Sequence, residues 1–204
     1  MSFNPLSFLR RALLPGPHTC PWWFGYSFDN PLRRFFHDPD VILGKLVQPG
    51  QTVVDVGCGL GYFSIALARI VGSRGKVIAL DVQPQMIRRA RHRADRLKLD
   101  ERIEFLVCNA NEPDIKEPVD FVLAFWVVHE IENLEGFLSE VRSSLKPGGR
   151  LMIVEPKGHV TARRFKDMAD SVLKNGFEIS EGPVVRFSRS VVCSPLQNPH
   201  MSNG

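Results

Sequence analysis

From about residue 38 onward the apolar positions of this chain fall into two alternating patterns. Residues 52–56 (TVVDV), 76–81 (KVIALD), 103–107 (IEFLV), 119–125 (VDFVLAF) and 150–155 (RLMIVE) are short, nearly continuous apolar runs. Strands covered by helices on both faces read this way, whereas half-solvated strands alternate. Between the runs, residues 38–47, 62–72, 84–99 and 133–146 carry apolar side chains at helical spacing. The punctuation agrees: Gly72 closes one helix, Pro84 opens the next, and Pro147, Gly148 and Gly149 stop the fourth. Repeated strand–helix units predict an α/β fold with a doubly wound, mostly parallel sheet.

The end of the chain breaks that rhythm. After a helical stretch at 162–176, residues 177–180 and 184–193 are strand-like, with only EGP and its neighbours between them. That gap is too short for a helical crossover, so the two strands pair antiparallel. The expected sheet has seven strands, five in strand–helix units and a closing antiparallel C-terminal hairpin. Residues 1–37 stand apart as an aromatic cap segment: Trp22, Trp23, Phe24, Tyr26 and Phe28 sit among Pro, Gly and Asn. Residues 38–193 read as the domain proper and residues 194–204 as a flexible tail.

Composition changes this picture little. The chain has 204 residues, 44% hydrophobic and 24% charged, enough for one domain with a core that needs no staples. The net charge of +4 is mild, and much of it lies in residues 88–98 (RRARHRADRLK). A solvated helix face accounts for that run, with a nucleic-acid surface as the competing reading. Cys20, Cys58, Cys108 and Cys193 are scattered with no C-x-x-C pair, so neither a metal set nor a disulfide framework is expected. Reduced thiols of this kind suit a cytoplasmic protein. No apolar run is long enough to span a bilayer. Arg10 and Arg11 split the N-terminal apolar residues, which makes them a poor signal peptide.

The chemistry begins at residues 53–63, VVDVGCGLGYF. A glycine turn between strand and helix lets backbone approach a ligand, and the helix offers its first N–H groups. The dinucleotide fingerprint would place its third glycine at position 62, where Tyr62 stands. Asp81 ends the second strand, and a carboxylate there accepts from both hydroxyls of an adenosine ribose. A ribose site without a diphosphate site favours an adenosine cofactor that lacks phosphates. Taken singly, the glycines also suit a plain tight turn, and Asp81 a cap on the following helix.

Four further segments accompany that turn: VIALDVQPQMI (77–87), FLVCNANEP (105–113), VDFVLAFWVVHEI (119–131) and LKPGGRLMIVEP (145–156). With them the chain resembles a class I S-adenosylmethionine-dependent methyltransferase of the group acting on small molecules, over roughly residues 41–187. The resemblance implies a Rossmann-like methyltransferase fold, S-adenosyl-L-methionine as donor and S-adenosyl-L-homocysteine as product. It implies that Gly57, Cys58 and Gly59 line the methionine part of the cofactor through backbone atoms. Asp55 would position that turn or the cofactor's amino group. Asp81 would hold the ribose, with Val82 against the adenine. Asn109, where the family usually has Asp, would accept from the adenine amino group, and Ala110 would offer its N–H to an adenine ring nitrogen. The Phe125 carbonyl would face the methionine ammonium, and Tyr26 of the cap would reach the cofactor.

For an acceptor that must lose a proton, His129 is the candidate catalytic base, four residues beyond the fourth strand. The alternative is a helix-start histidine that packs beneath the site. The [DN]-P-P-[YF] motif is absent after the fourth strand, and no Asp-Asp-Asn metal set is present. Cys20, Cys58 and Cys108 do not match the thiol pattern of arsenite methyltransferases. The expectation is a cytoplasmic methyltransferase with a small-molecule methyl acceptor and no metal. A non-catalytic S-adenosylmethionine-binding protein and an RNA-modifying methyltransferase are the competing classes.

Overall fold

The computed structural model describes residues 35–109 and 113–196, so most of the expected cap lies outside the described residues. In chain order the elements are α1 (Pro39–Leu43), β1 (Thr52–Val56), α2 (Tyr62–Val71), β2 (Lys76–Asp81), α3 (Pro84–Arg96), β3 (Ile103–Val107) and β4 (Val119–Phe125). They continue with α4 (Leu134–Ser144), β5 (Leu145–Pro156), α5 (Ala162–Lys174), β6 (Phe177–Glu181) and β7 (Ser188–Pro195). The sheet order is β3-β2-β1-β4-β5-β7-β6. The first five strands pair in parallel, and β7 runs antiparallel between β5 and β6. The doubly wound sheet and its closing hairpin are as the apolar pattern implies.

Each central strand feeds two cores. Val53, Val77, Ala79, Leu123, Phe125, Met152 and Val154 pack on the face of α1, α2 and α3. Val54, Val56, Ile78, Leu80, Ala124, Leu151 and Ile153 pack on the face of α4 and α5. Strand side chains alternate between faces. Asp55 and Asp81 therefore belong to the α2–α3 face, and Glu155 at the end of β5 to the α4–α5 face.

Several boundaries differ from the sequence reading; α3 ends at Arg96, and the last strand begins at Ser188 rather than at 184. The first helix stops at Leu43, because Gly44 closes onto the Asp40 carbonyl and Leu46 and Val47 turn back to Leu43. The fourth helix stops at Ser144, and Leu145 already pairs with Val119 as part of β5. Pro147, Gly148 and Gly149 thus form an irregularity inside a strand, where the register shifts between Val119 and Phe121. At the C-terminus β7 continues to Pro195, since Ser194 and Pro195 pair with Glu178 and Phe177. The Leu196 N–H then donates to the Gly176 carbonyl.

The two ends of the parallel strands differ in chemistry. At the N-terminal end Lys76 pairs with Glu117 and, at 2.8 Å, with Glu104, while Lys146 meets Asp120 at 2.8 Å. Partly exposed pairs of this kind each contribute up to about 1 kcal/mol. At the C-terminal end β1 and β4 are neighbours, yet the chain leaves them for opposite faces of the sheet, α2 on one and α4 on the other. That divergence opens a crevice at the topological switch point, where sheets of this type bind ligands.

Candidate active site

The turn after β1 is built from backbone. Gly57, Gly59 and Gly61 have φ of 69°, 54° and 77°, a region L side chains rarely adopt. A Cβ at Gly57 would lie 2.6 Å from the Val127 side chain, so the turn after β1 and the segment after β4 touch there. A Cβ at Gly59 would meet nothing within 4 Å; this side of the turn is open.

Asp81 stands beside that opening, 7% exposed. Its Oδ2 accepts from the Gly59 N–H at 2.9 Å and its Oδ1 from the Gln83 N–H at 2.8 Å. The carboxylate thus holds the glycine turn and the entry to α3 together, accepting from the N–H of the N-cap residue Gln83 rather than capping the helix itself. Burial pushes its carboxyl pKa up, against the pull of the two N–H groups. A carboxylate has about four acceptor directions, and these two bonds use half of them.

Asp55 is 2% exposed and accepts from Ser64 Oγ at 2.5 Å, tying β1 to the first turn of α2. The Cys58 N–H donates to the Leu80 carbonyl at 2.9 Å. Burial, followed by the charges of Asp55 and Asp81, holds the Cys58 thiol well above its ordinary pKa. Burial and then Asp81 push Cys108 up to about 11. Both are protonated thiols at neutral pH and therefore poor nucleophiles. Val82 is half-buried just past β2, and Asn109 is exposed past β3. Ala110 and Tyr26 lie outside the described residues.

The end of β4 is built from side chains. Phe125 is buried with its ring 4.3 Å from Phe63 and 5.5 Å from His37, centroid to centroid. Trp126 has φ 61°, a left-handed conformation that costs a bulky residue about 1–2 kcal/mol. Its indole N–H donates to Ser188 Oγ at 3.0 Å, and its ring meets His37 edge-on at 5.0 Å. His37 is buried, with Nε2 donating to the Arg186 carbonyl at 3.0 Å. The Tyr62 hydroxyl donates to the His37 carbonyl at 2.9 Å. Position 62, where the dinucleotide pattern fails, therefore anchors this aromatic wall to the glycine turn.

His129 lies in a 3₁₀ turn, Val128–Glu130, on the α4–α5 side. Its Nδ1 is 2.5 Å from Glu155 Oε2, and its backbone N–H donates to Glu155 Oε1 at 3.3 Å. Nε2 points toward Glu130 at 4.0 Å, and the His159 ring lies 4.9 Å away. Burial works against the imidazolium, but the Glu155 hydrogen bond and charge, aided by Glu130, outweigh burial and Arg164. The net effect raises the His129 pKa above the ordinary value. Glu155 is 2% exposed and was not singled out from sequence. Its signal was an acidic residue ending an apolar central strand, the same position that drew attention to Asp81 in β2.

Among the described residues, no cluster of His, Cys, Asp and Glu could hold a metal ion. No helix among them is long and apolar enough to cross a membrane.

A family model for the methyltransferase domain matches residues 48–183, from just before β1 to the loop before β7. The chain belongs to the methyltransferase-domain family. Among relatives of this methyltransferase domain, a demethylmenaquinone methyltransferase of Oceanobacillus iheyensis is 34% identical over 110 residues, 53% of this chain and 46% of that protein. A sterol 24-C-methyltransferase of Gibberella zeae is 30% identical over 139 residues, 68% of this chain and 36% of that protein. The chain thus spans about half or less of the length of these curated relatives. The crystal structure of a SAM-dependent methyltransferase from Aquifex aeolicus superposes with a TM-score of 0.73 at 26% identity, covering 85% of this chain and 99% of that one.

Proposed function

We propose that this protein transfers a methyl group from S-adenosyl-L-methionine to a small molecule. One observation carries the reading: a buried Asp81, bonded to the middle glycine of the turn, keeps acceptor capacity beside the open side of Gly59. Two unused acceptor directions match the two hydroxyls of a ribose, and the open backbone leaves room for the aminoacyl part. The residues present fit the cofactor. When bound, it supplies a methyl group already activated on a sulfonium.

The chain's own work is then to bind, orient and exclude water. Gly57, Cys58 and Gly59 line the donor through backbone, Asp55 fixes their turn through Ser64, and Val82 and Asn109 take the adenine side. An Asn109 amide oxygen accepts without the charge assistance of a carboxylate, which weakens that contact. The Phe125 carbonyl faces the donor's ammonium; Ala110 and Tyr26 keep the donor contacts assigned to them from sequence. His129 is the general base. Glu155 holds its Nδ1–H, leaving Nε2 as the atom that takes the acceptor's proton.

A small-molecule acceptor is supported by the relatives, which are named for a demethylmenaquinone and a sterol. The RNA-modifying alternative loses support in α3, where Arg91 donates to the Phe105 carbonyl and Arg93 to the Leu60 carbonyl. Part of that basic helix thereby serves packing. The cytoplasmic placement belongs to the same reading, and Cys58, Cys108 and Cys193 are free thiols.

Calorimetry with S-adenosylhomocysteine tests the donor site. The wild type is expected to bind, and Asp81→Ala to bind at least about tenfold more weakly. A wild type that binds neither the donor nor its product refutes the proposal. Turnover against a panel of small acceptors separates an enzyme from a non-catalytic binder.

A further inference from the structure

The loop of residues 182–187 joins β6 to β7 and stands over the C-terminal ends of the parallel strands, because Ser188 pairs with Pro156 at the end of β5. Two hydrogen bonds tie it to the crevice: Trp126 Nε1 to Ser188 Oγ, and His37 Nε2 to the Arg186 carbonyl. Asp81 ends β2 on the other side of β1 and β4, so this loop lies on the side away from the donor's ribose. Its residues 184–187 also lie beyond residue 183, where the family match ends.

Arg186 is exposed in this loop. Its Cζ sits 4.8 Å from the Phe36 ring centroid and 5.0 Å from that of Phe187, with the two centroids 5.9 Å apart. The guanidinium therefore straddles both rings. Such a contact holds the group by its charge and spends none of its N–H donors. No carboxylate among the described residues pairs with it. Other arginines spend their donors within the fold: Arg150 on the Leu46 carbonyl, Arg189 on the Val160 carbonyl.

Phe187 adds a second, independent sign. It has φ 60° and is 60% exposed, so it carries backbone strain without gaining burial. The Lys157 N–H holds its carbonyl at 2.8 Å, which fixes this conformation. Strain kept where it brings the core nothing points to a site. Here it holds an exposed ring against the Arg186 charge, in a loop whose Val184 is also exposed.

We propose that Arg186, braced on Phe36 and Phe187, is the anion-recognising element of the acceptor site, and that the acceptor is a planar molecule bearing a carboxylate or a phosphate. The inference rests on the methyltransferase reading. The aromatic wall of Trp126, Phe36 and Phe187 takes the flat apolar body, and the fork takes the pair of anionic oxygens.

The test is calorimetry on protein saturated with S-adenosylhomocysteine, using 2-naphthoate, 2-naphthyl phosphate and neutral 2-naphthamide as probes. One of the two anions is expected to bind about tenfold more tightly than the amide. Which anion wins identifies the headgroup. Arg186→Gln should erase that preference while leaving S-adenosylhomocysteine affinity and the melting temperature in place. Arg186→Lys should restore only part of it, since a point charge lacks the planar fork. Equal binding of all three probes, binding of none, or a preference that survives Arg186→Gln overturns the proposal alone. A wild type that fails to bind S-adenosylhomocysteine overturns the methyltransferase reading and this inference with it.

Discussion

The proposed donor side and the proposed acceptor side of the crevice are made in different ways. The donor side is a backbone turn, Gly57 to Gly61, held by one carboxylate, Asp81, through the Gly59 N–H. The acceptor side is made of side chains in two groups, His37, Trp126, Arg186 and Ser188 in one and His129 with Glu155 in the other, each joined from distant parts of the chain. Backbone shape is written locally, as glycines at fixed spacing. Side-chain walls are assembled by the fold, and no short segment records them. The proposed roles inherit this contrast: a donor shared across a family on one side, an acceptor particular to this chain on the other.

The largest effect is expected where the two sides touch. Gly57→Ala puts a Cβ against Val127 in a left-handed backbone, at a cost of about 3 kcal/mol from strain and overpacking together. Affinity for S-adenosylhomocysteine should fall by about a hundredfold, read by calorimetry, with a lower melting temperature. Adding Val127→Ala removes the nearest clashing atom, Cγ2, but keeps the Cβ at 2.9 Å and the backbone strain, so the double variant should recover part of both. No recovery would mean that the sides are not coupled at this contact.

Next comes the carboxylate itself. Asp81→Asn keeps the shape but turns an NH2 group toward one of the two backbone N–H groups that Asp81 now accepts from. The loss is expected at about 2 kcal/mol, roughly thirtyfold in donor affinity, with anion-probe binding to the acceptor side unchanged. A loss on both sides would show that Asp81 organises the whole crevice.

The sheet, its hairpin and the glycine turn were legible because each rests on local chemistry. Continuous apolar runs, Gly72, Pro84 and the three glycines act on their immediate neighbours. The errors came where a distant partner decides. Pro147 to Gly149 look like a helix stop, yet pairing with Val119 draws Leu145 into β5. Ser194 and Pro195 look like tail, yet β6 pairs with them. Tyr62 read only as a missing glycine, because its partner His37 lies 25 residues away. Glu155 read as the end of an apolar strand, because His129 is 26 residues distant. Arg186 needs Phe36 beneath it, and nothing in RFSRS announces that contact.

Glu155→Gln tests the acceptor side through pH. The folded His129 pKa is raised, so the pair's contribution is fully present below the ordinary histidine value and is lost as pH rises through the folded value. The substitution should therefore destabilise most at mildly acidic pH, by about 2 kcal/mol, with the gap to wild type narrowing on the alkaline side. Thermal melts across pH read the gap, and the His129 ring resonances should titrate at lower pH in the variant. A gap independent of pH would reduce Glu155 to a packing residue and remove the support for His129 as an oriented base.

The smallest effect isolates the wall. Ser188→Ala removes one acceptor, the hydroxyl that takes the Trp126 indole N–H at 3.0 Å. A half-buried neutral hydrogen bond contributes about 1 kcal/mol, so the melting temperature should fall by only a few degrees. Trp126 keeps its edge-on contact with His37, which limits how far the ring can swing. Because Trp126 holds a left-handed backbone, loosening its ring should also let that strain relax and shift the wall away from Arg186. Binding of the preferred anionic probe is then expected to weaken by about two- to fivefold, while S-adenosylhomocysteine binds as before. Equal weakening of both would mean that Ser188 supports the crevice as a whole, and the division into a backbone-built donor side and a side-chain-built acceptor side would fall.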